Sequence, residues 1–467
     1  MLNRREFLAA ATLSLASLGA SRCRREPERV DVLILGGGLA GLNAAQELID
    51  AGLKVLILEA RNRAGGRVLT IKQIPGSPEA GATQISTSYK RFVALAERYE
   101  VELRDAVRSR YPGGEFWISL DGQAIRAQEW AEHDRNPFSG VLAQRPPWAL
   151  PFSAFAGPNP LPEVASWRDP SFAHLDVSIG DYLGWNQRQL DFAFGINPGY
   201  GPDADSQSAL MWLQIARAFS TPGGKLIEVQ GGNDAIPLRM AEAFEVDMRY
   251  GAVIRSIDVQ PQGVSVATED GRRFSASFAV STLPTAALRQ VSVSAPLTTL
   301  QRQGIEGLNY NRVVRAYFTP TRKFWEEDGL PPSIWSDSLA GRVFALRGNR
   351  GTDITGIQSF VTGPAADRLD TMTNADALTV IQRALEEIRP SCRGALVPQS
   401  LISWGADPFA GGAYACWQPG QISGFANALA KPAGRLLFAG EHTARAARGV
   451  EGALESGERA AREILAA

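Results

Sequence analysis

A glycine-rich turn between two apolar runs constrains the fold of this chain more than any other feature. Residues Val30–Leu35 form an apolar run typical of a buried strand, and the turn Gly-Gly-Gly-Leu-Ala-Gly follows at residues 36–41. Helical spacing then extends over Leu42–Asp50, and a second apolar strand, Lys54–Leu58, leads into Glu59. Strand, glycine turn, helix, strand and acidic residue in this order predict a dinucleotide-binding βαβ unit.

Each glycine of the turn has its own physical task in such a unit. Gly36 permits the tight turn, Gly38 lets the backbone approach a pyrophosphate, and Gly41 lets the helix pack against the strand. Leu39–Ala40 open the helix, so that its free N–H groups face the phosphate charge. Glu59 can accept hydrogen bonds from both hydroxyls of an adenosine ribose, and it would repel a phosphate at that place.

Length, charge and metal-ligand content limit the remaining interpretations. A chain of 467 residues is too long for one compact core, so we expect at least two domains. The net charge of -1 provides no electrostatic signature of binding to nucleic acid or to an anionic membrane. The three histidines and three cysteines lack metal-ligand spacing, so we predict no metal site.

The first 27 residues have the pattern of an export signal. Arg4 and Arg5 precede a short apolar run, Leu8–Ala20, which is too short to span a bilayer and fits the core of a signal peptide. The arginine pair resembles a twin-arginine signal, whose translocase exports chains already folded around a cofactor. We therefore expect the twin-arginine translocase as a partner and a periplasmic or secreted location. The alternative is a cytoplasmic protein with a basic amphipathic start.

The residues after the second strand indicate which dinucleotide is bound. Glu59–Arg67, with the sequence Glu-Ala-Arg-Asn-Arg-Ala-Gly-Gly-Arg, resembles the extended flavin signature of the amine oxidase family. That family includes monoamine, polyamine and L-amino acid oxidases, and Glu79–Thr83 is similar to its loop beside the flavin. The resemblance implies FAD as the cofactor, with contacts from Glu59, Ala60, Arg61, Gly66, Arg67, Gly81, Ala82 and Thr83.

The resemblance returns towards the C-terminal end of the chain. Arg435–Glu441 is typical of a strand that turns into a loop, and Gly449–Gly457 opens a final helix. In the family, the acid at this loop binds the ribityl–pyrophosphate part of FAD. The start of the helix points at the flavin C2 carbonyl, where its dipole stabilises the reduced anion. A segment at Val253–Ile257 resembles the part near the adenine. These segments add Val253, Gly440, Glu441, Glu451, Gly452 and Ala453 to the implied cofactor contacts.

On the substrate side, the resemblance implies two aromatic catalytic residues, Trp404 and Tyr414. Trp404–Phe409 and the residues before Tyr414 match the family segment over the flavin face, and Tyr414 stands at the position of an aromatic cage residue. Such a ring would flank the substrate amine. Ala413 stands where some monoamine oxidases carry the cysteine that attaches FAD covalently, so we expect non-covalent FAD.

Two residues depart from the family pattern. Many members place a lysine near flavin N5, and counting back from Phe324 places Arg315 there. We take Arg315 as the third catalytic residue, although a permanently charged arginine can hold a water molecule and cannot act as a base. Gly449 stands where the second cage aromatic is expected, which opens half of the cage. This favours a bulkier substrate or one not held as a simple amine; alternatively, Trp417 turns into the gap.

Together the motifs predict an α/β fold with two interleaved domains. One is a Rossmann-like FAD-binding domain of the GR2 type, the other an α+β substrate-binding domain, and the flavin should lie at their interface. We assign residues 1–27 to the leader, residues 28–88, 222–292 and 433–467 to the FAD-binding domain, and residues 89–221 and 293–432 to the substrate-binding domain.

The resemblance implies an FAD-dependent amine oxidase. A small-molecule amine would give a hydride to the flavin, its imine would hydrolyse to an aldehyde or keto product, and O2 would take the electrons and form H2O2. A flavin desaturase or C–C dehydrogenase, of the phytoene desaturase or protoporphyrinogen oxidase type, shares the glycine and terminal signatures. A non-catalytic flavoprotein relic is the third alternative. Nothing in the sequence names the amine, and a homodimer stays open.

Overall fold

A computed structural model of the chain describes residues 28–106, 116–219, 224–243, 248–347 and 353–467. The leader at residues 1–27, with its arginine pair, lies outside the described residues. None of the helices in the described ranges has both the length and the apolar character that crossing a membrane requires.

The largest sheet, called here the first sheet, is built on the predicted βαβ unit. Glu28–Leu35 pairs in parallel with Val55–Leu58 on one side and with Arg273–Ser281 on the other. The N-terminal helix, Leu39–Asp50, connects the first two strands, which confirms the predicted unit. In spatial order the sheet contains Ser292–Ser294, Ile254–Gln260, Gly263–Thr268, Arg273–Ser281, Glu28–Leu35, Val55–Leu58 and Met248–Arg249, and Leu436–Phe438 pairs with Arg273–Ser281.

Alternation along the first strand decides what covers each face of the first sheet. Val32 and Ile34 belong to a core that includes the N-terminal helix and the C-terminal helix, Gly449–Leu465. Leu33 and Leu35 point to the opposite side and join a larger core rich in aromatic residues. Because both faces are buried over residues 32–35, this part of the strand is continuously apolar.

The second sheet is antiparallel except for one pair of strands. In spatial order it contains Leu396–Ser403, Val313–Pro320, Ile354–Thr362, Arg342–Arg347, Ser333–Ser336, Phe116–Leu120 and Gln123–Ile125, and Ser333–Ser336 is parallel to Phe116–Leu120. Val314, Ala316 and Phe318 share a core with the helix Asn374–Ile388. The residues between them, Arg315 and Tyr317, therefore point to the other face of the second sheet.

The remaining elements are short. Ile85–Ser86, Leu226–Val229 and Leu103–Asp105 form a small sheet, and Asn309–Tyr310 pairs with Ala415–Cys416. Further α-helices in the described ranges are Lys90–Arg98, Gly140–Ala143, Leu150–Ala154, Ile179–Leu183, Gln187–Leu190, Ala209–Phe219, Ala235–Ala243, Thr285–Leu288, Thr299–Gly307, Phe324–Glu327, Pro364–Asp370 and Asn427–Leu429.

The chain passes from the first sheet to the second and back twice. Strands of the first sheet come from residues 28–58, 248–294 and 436–438, and strands of the second come from residues 116–125 and 313–403. The predicted α/β fold with interleaved parts is therefore confirmed. The domain boundaries themselves stay a prediction.

Replacing Gly457 with alanine should destabilise the protein, although alanine favours a helix by about 1 kcal/mol over glycine. A Cβ at Gly457 would lie 2.3 Å from the Ala40 carbonyl oxygen, where the two terminal helices touch. Overpacking of this kind costs ~1–3 kcal/mol, and a backbone carbonyl cannot turn aside. We expect a lower urea midpoint and a lower Tm.

The matched control is Gly424→Ala, because the Cβ position of this helical glycine has no neighbour within 4 Å. It should leave stability unchanged or raise it. Equal effects of the two substitutions would contradict the close contact between the terminal helices.

Candidate active site

One cavity of ≈ 500 Å³ gathers residues from both sheets and both terminal helices. The predicted catalytic residues Arg315, Trp404 and Tyr414 line it. Of the predicted cofactor contacts, it is lined by Gly36, Gly38, Leu39, Ala40, Glu59, Ala60, Arg61, Gly66, Arg67, Gly81, Ala82, Thr83, Val253, Gly440, Glu441 and Ala453.

Three predicted cofactor contacts lie outside the cavity lining. A Cβ at Gly41 would lie 2.0 Å from the Gly36 carbonyl oxygen, so this glycine serves the packing of helix on strand that the sequence predicted. The Glu451 carboxylate instead accepts hydrogen bonds from the backbone N–H groups of Arg91 and Phe92, 3.1 and 3.2 Å away. Gly452 gives room to the Ala447 carbonyl oxygen, 2.9 Å from its Cβ position. Glu451 and Gly452 thus lie outside the cavity lining, where both support neighbouring backbone, and their predicted contact with the cofactor stays a prediction.

At one end of the cavity, Glu59 fixes the glycine turn. Its carboxylate accepts hydrogen bonds from the N–H groups of Gly37 at 2.7 Å and Arg61 at 2.8 Å, and the residue is only 3% exposed. A carboxylate has about four acceptor positions, so each oxygen retains one for a ribose hydroxyl. The acid therefore holds the turn and remains able to bind a nucleoside.

Glycines bring two backbone segments together at the same end. The Cβ position of Gly66 is only 3.3 Å from the Gly38 Cα atom, and the N–H group of Gly65 donates to the Gly37 carbonyl oxygen at 2.9 Å. At Gly81 a Cβ would lie 1.9 Å from the Arg67 carbonyl oxygen. Side chains at these places would fill the space along the backbone that an extended cofactor needs.

Both terminal helices present free N–H groups to the cavity. The N-terminal helix starts after Gly38 and the C-terminal helix after Arg448, and neither has a side-chain cap. Leu39 and Ala40 of the first helix and Val450 of the second line the cavity. Unpaired N–H groups and the positive dipole ends suit a pyrophosphate at one helix and a developing negative charge at the other.

An ion pair joins the N-terminal and C-terminal halves of the site. Arg67 donates Nη1 to Glu441 Oε1 at 3.1 Å and to the Ala413 carbonyl oxygen at 3.0 Å, although Arg67 and Glu441 are 374 positions apart. The same carboxylate oxygen accepts the Ala415 N–H at 3.1 Å. The two segments that resemble the same family, Glu59–Arg67 and Arg435–Glu441, therefore meet in one place.

Arg315 and Trp404 are anchored to the loop that carries Gly81. Arg315 Nη1 donates to the Glu79 carbonyl oxygen at 2.8 Å, and Trp404 Nε1 donates to the Ala80 carbonyl oxygen at 2.7 Å. The guanidinium carbon lies 5.1 Å from the centre of the Phe360 ring, and Arg315 is 8% exposed. A fixed, permanently charged group thus stands in the cavity where a lysine was expected.

An aromatic residue that sequence reasoning missed extends the wall formed by Tyr414. Tyr200 lines the cavity, and its ring centre lies 4.9 Å from that of Tyr414 at an interplanar angle of 57°. Tyr414 donates its hydroxyl to the Gly199 carbonyl oxygen at 2.7 Å and accepts from Asn311 Nδ2 at 3.0 Å. The expected gap at Gly449 is therefore flanked by a tyrosine from a distant loop.

Trp417 does not turn into the gap. It packs on Trp167, with ring centres 5.7 Å apart, and lies outside the cavity lining. Further lining residues without a motif of their own include Gln84, Tyr89, Leu283 and Pro284.

The family model for flavin containing amine oxidoreductases matches residues 39–465. The chain belongs to this family. Membership makes it an FAD-dependent amine oxidoreductase, as the sequence indicated, and the glycines, Glu59 and the two helix starts fit FAD.

Relatives match over nearly the whole length of this chain. The flavin-containing amine oxidase of Danio rerio is 26% identical over 470 residues, which cover 94% of this chain and 86% of that protein. The L-amino-acid oxidase of Notechis scutatus scutatus is 24% identical, covering 93% of this chain and 86% of that protein.

Solved structures share the fold of this family member. Wild-type putrescine oxidase bound to putrescine has a TM-score of 0.72 at 24% identity, and the match covers 94% of this chain and 99% of that one. Cyclohexylamine oxidase from Brevibacterium oxydans IH-35A has a TM-score of 0.71 at 22% identity, covering 93% and 98%.

Replacing Glu59 with glutamine should weaken FAD binding by roughly 10- to 100-fold, the range for loss of a charge-assisted hydrogen bond. The NH2 group of glutamine would face the backbone N–H group of either Gly37 or Arg61, both of which donate hydrogen bonds to the Glu59 carboxylate. Flavin fluorescence during titration of the apoprotein measures the dissociation constant.

Glu269→Gln is the matched control, because Glu269 lines the same cavity but is exposed and pairs only with Arg255 in the described ion pairs. Its FAD affinity should stay at the wild-type level. Equal affinities of the two variants would contradict the role of Glu59.

Proposed function

We propose that this protein oxidises the C–N bond of an amine held against non-covalently bound FAD by Tyr200 and Tyr414. One observation carries the proposal: FAD-binding motifs from both ends of the chain share a cavity with this pair of tyrosines, whose ring centres are 4.9 Å apart. When bound, FAD accepts a hydride from the carbon next to the amine and passes the electrons to O2, giving H2O2.

The two tyrosines form one aromatic wall, and Tyr414 does not exchange protons. Tyr414 is fixed by its hydrogen bonds to Gly199 and Asn311, and burial raises its pKa, so the phenol stays neutral. Tyr200 packs edge-on against Trp212, with ring centres 5.4 Å apart. Rigid aromatic walls exclude water from the amine and orient its C–H bond.

The described lining of the cavity supplies no general base at the substrate end. Among the described residues that line the cavity, the acids are Glu59, Glu269 and Glu441, each engaged by an arginine or backbone N–H, and no histidine is present. His442 lies buried behind them, and burial lowers its pKa to about 3. The positive charge of Arg315 disfavours an ammonium ion beside it. The amine must therefore arrive neutral.

The surroundings of Ala413 support non-covalent FAD. Ala413 lines the cavity without a side chain that could form a bond to the cofactor. Cys416 is free and lines a neighbouring cavity of ≈ 460 Å³, and burial raises the pKa of its thiol to about 12. A protonated thiol in another cavity is no nucleophile for the flavin.

Anaerobic mixing of the holoenzyme with amines tests the proposal. We expect full bleaching of the flavin by at least one member of a panel of monoamines, polyamines, amino acids and cyclic amines, and H2O2 when air is readmitted. The reduction rate should rise with pH and level off above the pKa of the substrate amine, because only the neutral amine reacts.

Two results would contradict amine oxidation. Reduction only by an alkene precursor or a quinol would favour the desaturase, and no reduction by any panel member would favour a non-catalytic relic. A pH profile that follows a group other than the substrate amine would show that the chain supplies a base after all.

We also propose that the protein is exported in folded form by the twin-arginine route. Arg4 and Arg5 before the apolar run Leu8–Ala20 support this, and so does the need to insert FAD before export. A variant with Arg4→Lys and Arg5→Lys should remain in the cytoplasmic fraction, whereas one with Arg24→Lys and Arg25→Lys should not. Wild-type protein that stays in the cytoplasm, or equal export of both variants, would contradict the proposal.

A further inference from the structure

Arg448 places a positive charge beside the aromatic walls. Its guanidinium carbon lies 5.2 Å from the centre of the Tyr200 ring, and the next residue, Gly449, lines the cavity. Tyr89 also lines the cavity. Burial raises the pKa of Tyr89, and the charge of Arg448 opposes that rise. The arginine thus adjoins the cavity lining at Tyr200 and Gly449.

The guanidinium group is held in place yet keeps donors free. Arg448 Nη1 donates to Gln214 Oε1 at 2.7 Å, and Gln214 is completely buried. Its other nitrogens form no hydrogen bond, and no Asp or Glu forms an ion pair with it, among the residues that the structure describes. A half-buried arginine without a carboxylate partner has Nε and Nη2 available to an anion from outside.

The cavity opens to solvent at this place. Gly449, the neighbour of Arg448 in the chain, lines the cavity and is exposed, whereas Tyr200 and Tyr414 are half-buried. Arg448 therefore stands near an opening that leads to the aromatic walls. A ligand that enters here meets the arginine before it reaches the tyrosines.

Among the described residues that line the cavity, no acidic group at this end is free to receive a second ammonium. The acids in the described lining are Glu59 and Glu441, which are hydrogen-bonded at the cofactor contacts, and Glu269, which pairs with Arg255. Arg315 is a positively charged residue of the lining and is anchored to the loop that carries Gly81. Glu451, whose charge also acts on Tyr89, is paired with Arg91 at 3.2 Å. The charges without a counter-ion among the described residues at this end are therefore positive, which opposes a diamine and attracts an anion.

We infer that the amine substrate carries a carboxylate, which Arg448 binds at the opening while the amine lies beside the contacting rings of Tyr200 and Tyr414. The inference rests on the proposed function and narrows its substrate to amino acids. The carboxylate is unchanged by the reaction. The amine carbon loses a hydride and the nitrogen a proton, O2 receives both electrons and two protons as H2O2, and water converts the imine to a keto acid and ammonia.

Matched pairs of substrates test the inference in the wild-type holoenzyme. Phenylalanine and phenethylamine differ only in the carboxylate, and so do ornithine and putrescine. Anaerobic stopped-flow reduction of the flavin gives an apparent Kd for each compound. We expect the amino acid of each pair to bind more tightly by roughly 10- to 100-fold, the range for charge-assisted hydrogen bonds. Putrescine, with a second ammonium, should bind least well.

Variants distinguish loss of the guanidinium group from general disruption of the site. Arg448→Met should remove the preference within each pair by raising Kd for the amino acids alone, and Arg448→Lys should restore part of it. Arg445→Met is the control, since this exposed arginine lies three residues earlier and its side chain forms no ion pair in the described part of the chain. It should retain the wild-type preference.

Benzoate provides a readout that does not depend on turnover. It should perturb the absorption of the bound flavin, whereas benzamide should not, and Arg448→Met should abolish the difference. If amines reduce the flavin better than their amino acids, or if Arg448→Met leaves the preference intact, the inference is wrong. If no compound reduces the flavin, the proposed function fails, and the benzoate comparison alone decides whether Arg448 binds a carboxylate.

Discussion

The ion pair between Arg67 and Glu441 is the interaction on which the site depends. It joins a loop after the second strand to a loop after the last strand of the same sheet, 374 positions away. The Glu441 carboxylate also holds the backbone at Ala415, next to Tyr414. One buried contact thus fixes the position of the cofactor motifs relative to the aromatic wall. Its low exposure, 21% and 12% of the two side chains, makes it more costly to break than a surface pair.

Around this contact, the two ends of the cavity follow different physical rules. At the nucleotide end, the glycines and the helix starts leave backbone groups open to a ligand, which is possible only where side chains are absent. Glu59 adds a carboxylate that can bind a nucleoside. At the substrate end, rings and positive charges dominate. Arg315 and Arg448 make that end unfavourable for ammonium ions, so the chemistry relies on a neutral amine and on orientation.

The nucleotide end could be predicted from the sequence because its signals are local. Strand, turn and helix at residues 30–59 follow each other in the chain, and their spacing alone specifies the geometry. The substrate end depends on contacts between distant segments. Tyr200 reaches Tyr414 from a loop that carries no motif, and Gln214 of a separate helix holds the Arg448 side chain in place. A local motif does not specify where every side chain points. Glu451 lies in a matching motif, but its carboxylate accepts hydrogen bonds from the start of the helix Lys90–Arg98.

We expect this cavity to bind FAD without a covalent bond, because Ala413 lines it and the Cys416 thiol lines another cavity. The most direct measurement is the flavin content of purified protein before and after acid precipitation. We predict a yellow protein that releases one FAD per chain into the supernatant and leaves a colourless precipitate. Purified protein without flavin, or flavin that stays with the precipitate, would contradict it.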